Sequence, residues 1–313
     1  MTWTPPTPST AIASAIIMAL LVVASVIIGV LRRTKPGKTS EELHLRVQSW
    51  WVIVLLFLGA ILVNGVTALL LFAFMSFLAL KEYFALIPTR RADRRVLFWA
   101  YLAIPLQYWW AYCGWYGMFI IFIPVYMFLI IPMRMVSLED TDGFLRAAGS
   151  IQWGLMITVF CLSHAAWLFV LPAAGNPAGG SAGLVLFLVG LTELNDIFQY
   201  LWGKSLGRAT ILPKVSPNKT WVGFLGGLGT TIVLAVLIAP YLTPLTTGSA
   251  IVSGIIIGLG GFLGDVTVSA LKRDLGIKDS GRLLPGHGGI LDRVDSLMFT
   301  APLFLHYIRY YYF

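Results

Sequence analysis

Three polar segments near the C-terminal end of the sequence carry most of the side chains that could do chemistry. They are NDIFQYLWGKSLGR at 195–208, LPKVSPNKTWVGFLGG at 212–227 and GDVTVSALKRDLGIKDSGRLLPGHGGILDRVD at 264–295. Lysine and arginine side chains bind phosphate oxygens, and so do backbone N–H groups in glycine-rich segments, where no side chain blocks the approach. Clustered carboxylates suit a hard cation such as Mg²⁺. Because Mg²⁺ also bridges phosphates, the two sets together predict a polyphosphate bound with its metal.

The charged members of these segments have ordinary alternatives as well. The basic ones are Lys204, Arg208, Lys214, Lys219, Lys272, Arg273, Lys278, Arg282 and Arg293, and the acidic ones include Asp196, Asp265, Asp279, Asp292 and Asp295. A basic cluster beside a membrane often contacts only anionic lipid. The run 216–220 reads either as a turn with Thr220 as helix N-cap, or as a helix N-terminus that holds phosphate under Lys219. His287, between glycines, is open as an acid or base, a metal ligand or a loop donor.

Three acidic residues lie inside otherwise apolar runs, where an unpaired charge costs about 2.5–3.5 kcal/mol or more. Glu193 and Asp196 are spaced i, i+3 on one helical face, and Asp265 shares a face with Ser269 and Lys272. One interpretation is a buried ion pair between helices, such as Asp196 with Lys272. The other is a functional site.

The elements that must position these residues are membrane helices. Of the 313 residues, 58% are apolar and 12% are charged, against about 25% charged in soluble domains. We predict spans of about 20 residues at 10–31, 50–63, 65–86, 96–112, 115–134, 150–171, 182–203, 221–242, 249–271 and 296–312. The second is short and is separated from the third only by Asn64, so the two could form one bent helix.

The basic residues predict the orientation of these spans. With the N-terminus outside, all of the 22 Lys and Arg except Arg309 fall in inner segments or at the span ends that meet them. We therefore expect an all-α integral membrane protein of about ten transmembrane helices, with the polar site at the cytoplasmic face. Residues 1–180 would form N-terminal helices and 181–313 the catalytic region of one membrane domain.

The run from Ser269 to Asp295 resembles the signature of the phosphatidate cytidylyltransferases, also called CDP-diacylglycerol synthases. Its fixed positions are Ser269, Lys272-Arg273, Lys278-Asp279, Pro285, His287-Gly288-Gly289, Asp292-Arg293 and Asp295. The segments 195–208 and 213–221 are also similar to that family. The resemblance covers about 185–313, whereas the N-terminal half is similar only in being hydrophobic. The chain departs from many bacterial members at Val222 and Val268, where they carry polar or acidic residues.

The resemblance implies a metal-dependent transfer of a cytidylyl group from CTP to phosphatidate, which gives CDP-diacylglycerol and pyrophosphate. It implies metal ligands at Asp265 and Asp292, for Mg²⁺ with a second cation left open. It implies these catalytic residues: Lys219, Lys272, Arg293, His287 and Asp196. It implies these substrate-binding residues: Ser216, Asn218, Lys214, Ser269, Arg273, Lys278, Gly288 and Gly289.

The expected partners are CTP, phosphatidate and membrane lipid, with no nucleic acid, and a homodimer stays open. The expected location is a bacterial inner membrane with the site facing the cytoplasm. Two alternatives remain at this point, namely cytidylyl transfer to another lipid phosphate and a multispan ion or solute transporter with intramembrane carboxylates.

Overall fold

The protein is almost entirely helical. The structure is a computed structural model that describes residues 5–90, 93–281 and 288–313. Helices α1 to α10 run over Pro8–Thr34, Lys38–Val63, Gly65–Leu86, Arg94–Tyr112, Tyr116–Val136, Phe144–Trp167, Gly180–Leu206, Trp221–Leu242, Thr247–Asp274 and Leu291–Tyr312. A 3-10 turn at Ala173–Gly175 precedes α7. Two short strands, β1 at Thr210–Leu212 and β2 at Ser216–Thr220, lie between α7 and α8.

These helices confirm the predicted class of integral membrane protein. Within the described ranges, eight helices are long and apolar enough to cross a membrane. The other two, α4 and α10, match the predicted spans 96–112 and 296–312 but fall outside that set. Helix α4 begins with two arginines, and α10 carries Asp292 and Arg293 in its first turn and ends in a run of tyrosines. The prediction of about ten spans therefore holds as an approximate count.

Asn64 divides α2 from α3, so the region 50–86 is two helices and not one bent helix. Its backbone is extended, and its side chain accepts a hydrogen bond of 2.8 Å from Thr67 N–H, which caps the start of α3. Helix α2 begins at Lys38, well before the predicted start at 50, because a polar segment continues the helix N-terminal to the apolar run.

Two helices of the N-terminal half contain a π-helical segment, Phe122–Met127 in α5 and Met156–Cys161 in α6. Wider turns disturb the regular hydrogen-bond ladder nearby. Side chains compensate: Gln152 donates 3.0 Å to Ile123 O, and Gln107 donates 3.1 Å to Phe119 O. Such pairing is necessary in a membrane, where no water is present to satisfy backbone carbonyls.

The last four helices pack closely at glycines. A Cβ at Gly223 of α8 would lie 2.6 Å from Gln199 O of α7, so only glycine allows this approach. A Cβ at Gly264 of α9 would collide with the Asp295 carbonyl of α10 and lie 3.0 Å from Ser296 Cα. Small residues at such crossings let backbones meet in a membrane bundle. The Gly264 crossing brings the charged end of α9 against the start of α10.

Candidate active site

The β1–β2 hairpin presents Lys219 to the helices. The strands pair antiparallel, with Thr210 opposite Thr220 and Leu212 opposite Ser216. The sequence left 216–220 open as a turn or as a helix N-terminus that holds phosphate, and the structure forms a short strand there in which Lys219 is partly buried. The predicted N-cap is confirmed, because the Thr220 hydroxyl accepts a 3.1 Å hydrogen bond from Gly223 N–H at the start of α8.

Lys219 is held by groups from two helices. Its Nζ lies 2.5 Å from Asp265 Oδ2 of α9 and donates 3.1 Å to Gln199 Oε1 of α7. Burial lowers the pKa of Lys219, but the carboxylates of Asp265, Asp196 and Asp295 outweigh it and raise the pKa above its ordinary value. The lysine is therefore charged at neutral pH and lies within electrostatic reach of three carboxylates.

A second ion pair joins α9 to α10. Lys272 Nζ lies 2.7 Å from Asp292 Oδ1, and the two side chains are only 11% and 7% exposed. The other carboxylate oxygen of Asp292 accepts from Ser280 N–H at 2.8 Å, from the Ser280 hydroxyl at 2.9 Å and from Gly289 N–H at 3.2 Å. Burial of such a pair is tolerable only when its remaining lone pairs are satisfied, as they are here.

Asp196 is bound differently from the ion pair that the sequence allowed. Its Oδ2 accepts a 2.7 Å hydrogen bond from the Ser296 hydroxyl, while its buried Oδ1 has no hydrogen-bond partner within the described part of the chain. Lys272 pairs with Asp292 instead, so the Asp196–Lys272 pair was wrong. Arg293 Nε is also buried without a partner among the described residues. Orphaned buried polar atoms of this kind are uncommon and often mark functional sites.

These groups line one large cavity of about 1550 Å³ at the hairpin end of the bundle. The predicted site residues on its wall are Asp196, Ser216, Asn218, Lys219, Asp265, Lys272, Lys278, Gly288, Asp292 and Arg293. Three separate polar segments of the sequence thus meet at one place. The volume exceeds the roughly 300–1,000 Å³ of typical small-molecule sites, so the cavity has room for more than one polar ligand.

Four predicted binding residues lie off the cavity wall. Lys214 is exposed. Ser269 donates 3.3 Å to Asp265 Oδ1. Arg273 donates to Val215 O at 3.2 Å and so ties α9 to the hairpin. Gly289 N–H binds Asp292. His287 lies outside the described residues.

Several residues on the wall were not predicted as site residues. Gln199 binds Lys219, and Glu193, which the sequence singled out as an intramembrane carboxylate without a specific role, faces the cavity from α7. From the N-terminal half, Glu42, Arg46 and Trp50 of α2 also line it. Glu42 and Arg46 form an i, i+4 ion pair of 2.7 Å that looks like ordinary helix surface in the sequence. Their position on the cavity wall became apparent only from the structure, in which α2 packs against α1 and α1 packs against α7.

The donor atoms on this wall suit a hard cation. Within the described ranges, no three His, Cys, Asp or Glu side chains converge as a ready-made metal site. The available donors are nevertheless carboxylate oxygens, and the buried Asp196 Oδ1 lacks a partner. Mg²⁺ takes oxygen ligands, commonly one or two carboxylates with the rest supplied by water and substrate phosphates. Asp265 and Asp292, the predicted ligands, lie on the same wall, where each carboxylate is paired with a lysine.

A smaller cavity of about 330 Å³ lies near the N-terminal end of α1 and the α2–α3 junction. None of the described residues that line it is charged, and it therefore offers no chemistry comparable to that of the large cavity.

Comparison with known proteins relates the whole chain to one family of enzymes. Residues 44–311 match the family described as the cytidylyltransferase family. The chain is 49% identical over 296 residues to the uncharacterized protein YnbB of Escherichia coli K12, across 95% of this chain and 97% of that one. It is 33% identical over 257 residues to the phosphatidate cytidylyltransferase of Staphylococcus haemolyticus, across 80% of this chain and 94% of that protein.

A shorter match to another relative has a higher sequence identity. Against the phosphatidate cytidylyltransferase of Synechocystis sp. PCC 6803, identity is 50% over 114 residues, which is 36% of this chain and 39% of that protein. The chain thus covers well under half of the length of that relative, but most of the length of the other two.

Proposed function

The chain belongs to the cytidylyltransferase family and is a nucleotidyltransferase, and we propose that it transfers the cytidylyl group of CTP to phosphatidate. The products would be CDP-diacylglycerol and pyrophosphate. The observation that carries the proposal is the joint placement of Lys219–Asp265, Lys272–Asp292 and Arg293 on one cavity of a membrane-embedded helical bundle. Because the chain belongs to an enzyme family, a role as an ion or solute transporter is no longer supported.

The reaction does not require a general base. The second ionisation of a phosphate monoester has a pKa of about 6, so phosphatidate is mostly dianionic near pH 7. One of its oxygens attacks the α-phosphorus of CTP, and the bond from that phosphorus to the bridging oxygen of the β-phosphate breaks. Pyrophosphate leaves with the bonding electron pair. No proton must be removed from the nucleophile.

The main obstacle to the reaction is electrostatic repulsion between phosphatidate and CTP. Positively charged side chains on the cavity wall reduce this repulsion. Lys219 and Lys272 would contact non-bridging phosphate oxygens, and Arg293 offers a planar fork for the leaving pyrophosphate. Preorganised charges of this kind stabilise a transition state without reorganisation at the moment of reaction. Gln199 and Asp265 would hold Lys219 in place for this role.

A divalent cation held by Asp265 and Asp292 would neutralise charge on the CTP phosphates and on the departing pyrophosphate. Asp196 lies on the same wall, and its Oδ1 has no hydrogen-bond partner among the described residues. The dependence on Mg²⁺ belongs to this proposal, as does the placement of the site at the cytoplasmic face of a bacterial inner membrane.

The test is a transfer assay with purified protein in mixed micelles. Phosphatidate, Mg²⁺ and CTP labelled at the α-phosphorus are incubated together, and label in the lipid phase is counted. Diacylglycerol, which lacks the phosphate nucleophile, is the matched control substrate. A polyprenyl phosphate in place of phosphatidate tests the alternative lipid phosphate. Label in the polyprenyl product but not in the phosphatidate product would refute the proposed substrate.

A further inference from the structure

Glu82 is an acidic residue near the end of α3, far in sequence from the polar segments of the site. Helix α3 is one of the membrane-spanning helices of the N-terminal half, and Glu82 stands one turn before its last residue. A carboxylate in such a helix is costly unless it has partners. Among the described residues, its hydrogen-bond partners lie about 200 residues later in the chain.

The Glu82 carboxylate binds both described ends of the connection between α9 and α10. Its Oε2 accepts a 2.7 Å hydrogen bond from Leu291 N–H and lies 3.1 Å from the Ser280 hydroxyl. Leu291 is the first residue of α10, and Ile290 before it has no side chain that could cap the helix. Glu82 therefore supplies the acceptor that the residue before α10 cannot offer, and it adds to the negative charge that Asp292 already places in the first turn.

The Ser280 hydroxyl connects Glu82 to Asp292. It lies 3.1 Å from Glu82 Oε2 and 2.9 Å from Asp292 Oδ2, and a hydroxyl has one hydrogen to share between the two carboxylates. Ser280 N–H donates to the same Asp292 oxygen at 2.8 Å. The position of Ser280 thus decides where Asp292 Oδ2 is held.

Two glycines allow the carboxylate to sit there. A Cβ at Gly281 or at Gly289 would collide with Glu82 Oε1. At Gly289 the same Cβ would also collide with the Ser280 hydroxyl. The Glu82 carboxylate therefore lies between two glycines, one at each described end of the connection between α9 and α10. It is enclosed by these two ends and not merely adjacent to them.

We propose that Glu82 is a positioning residue for Asp292, through which the N-terminal half of the chain sets the geometry of the active site. The inference rests on the proposed function for the role of Asp292 in the reaction. Glu82 does not line the cavity and would touch neither substrate. It acts by fixing Ser280 and the first turn of α10, which carries Asp292 and Arg293.

The test compares Glu82→Ala and Glu82→Gln with Lys81→Ala, the adjacent and exposed position on α3. For Glu82→Ala we expect kcat for CDP-lipid formation to fall about ten- to hundredfold, the loss typical of a hydrogen bond to a charged group. The KM for phosphatidate should stay within about threefold, since no substrate contact is removed. Glu82→Gln keeps an acceptor for Leu291 N–H and should lie between wild type and Glu82→Ala, and Lys81→Ala should match wild type.

A second measurement does not depend on activity. Amide hydrogen exchange in the Glu82 variants should quicken at residues 280–281 and 288–292, and stay unchanged at 216–220. If wild type forms no CDP-lipid, the proposed function fails while this exchange pattern still tests the positioning role.

A double variant separates positioning from general stability. Because Glu82 acts partly through Ser280, Glu82→Ala and Ser280→Ala together should cost less than the product of their separate effects. If Glu82→Ala does not fold, the turnover and hydrogen exchange of Glu82→Gln test the positioning role instead. Wild-type turnover with wild-type exchange in Glu82→Gln would overturn the proposal. Exchange that quickens throughout the chain, or fully multiplicative rate losses, would equally overturn it by showing a structural role only.

Discussion

Lys219 Nζ and Asp265 Oδ2 lie 2.5 Å apart, and their side chains are 19% and 24% exposed on the wall of the cavity. The pair joins strand β2 to helix α9. It therefore has two consequences, because the contact stabilises the hairpin and also sets the direction in which the lysine charge points.

Lys219→Ala should lower both activity and stability. Loss of a charge-assisted contact to phosphate should reduce turnover at limiting CTP about ten- to hundredfold, which corresponds to about 1.5–3 kcal/mol. Asp265 would also lose its cationic partner, so thermal unfolding in detergent should begin at a lower temperature. The measurements are CDP-lipid formation as a function of CTP concentration and a melting curve. A wild-type rate at limiting CTP would contradict the phosphate role.

Thr220→Ala, the neighbouring substitution, is the matched comparison. It removes the hydroxyl that caps α8, so we expect a loss of about 1 kcal/mol in stability. Turnover per folded molecule should change far less than in Lys219→Ala. Equal rate losses in the two variants would mean that the hairpin is needed for folding rather than for phosphate binding.

Much of this site was predictable because its charged residues lie where an apolar membrane helix is expected. Asp265 and Asp196 stand in apolar runs where charge is costly, and Lys272 shares a helical face with Asp265, so a polar site was the natural interpretation. Which lysine pairs with which carboxylate was not predictable. Several pairings satisfy the same charges, and only the packing of α9 against α10 selects Lys272 with Asp292.

Contributions from the N-terminal half were missed for physical reasons. Glu82 looks like one charge at the end of a span, and its partners come from the far end of the chain. Glu42 and Arg46 satisfy each other at i, i+4 spacing, so nothing in the sequence points to the cavity. The β hairpin was missed because strands of three and five residues, with a proline in one, resemble a turn.

The crossing of α9 and α10 gives a prediction on packing. Gly264→Ala would place a methyl group against the backbone of Asp295 and Ser296, so we expect a loss of about 1–3 kcal/mol in stability and reduced turnover. Gly229→Ala is the control, because a Cβ there meets nothing within 4 Å. It should be neutral or slightly stabilising, since alanine is the better helix former. Melting curves of the two purified variants make the comparison, and equal melting temperatures would show that α9 and α10 do not meet at Gly264.

The orientation can be tested by labelling. In a variant that lacks Cys113 and Cys161, single cysteines at Ser181 and Ser216 should react with an impermeant maleimide from opposite sides of the membrane. This follows because α7 separates the two positions and the basic residues favour the inner side for 216. The measurement uses intact cells and inverted vesicles in parallel. Reaction of both cysteines from the same side would contradict a spanning α7.

The carboxylates give the sharpest test of the reaction. Asp265→Asn and Asp292→Asn keep the shape of each side chain and remove its charge, so both proteins should fold with normal size-exclusion profiles. Turnover should nearly vanish in both, because Lys219 and Lys272 lose their carboxylate partners and the proposed divalent cation would lose its ligands. Asp274→Asn, at an exposed position near the end of α9 and off the cavity wall, is the matched control and should keep wild-type turnover. Wild-type activity should also stop with a chelator and return with Mg²⁺ or Mn²⁺. If both Asn variants fold and turn over at near-normal rates, the metal-assisted transfer is wrong and these carboxylates serve only as ion-pair partners between helices.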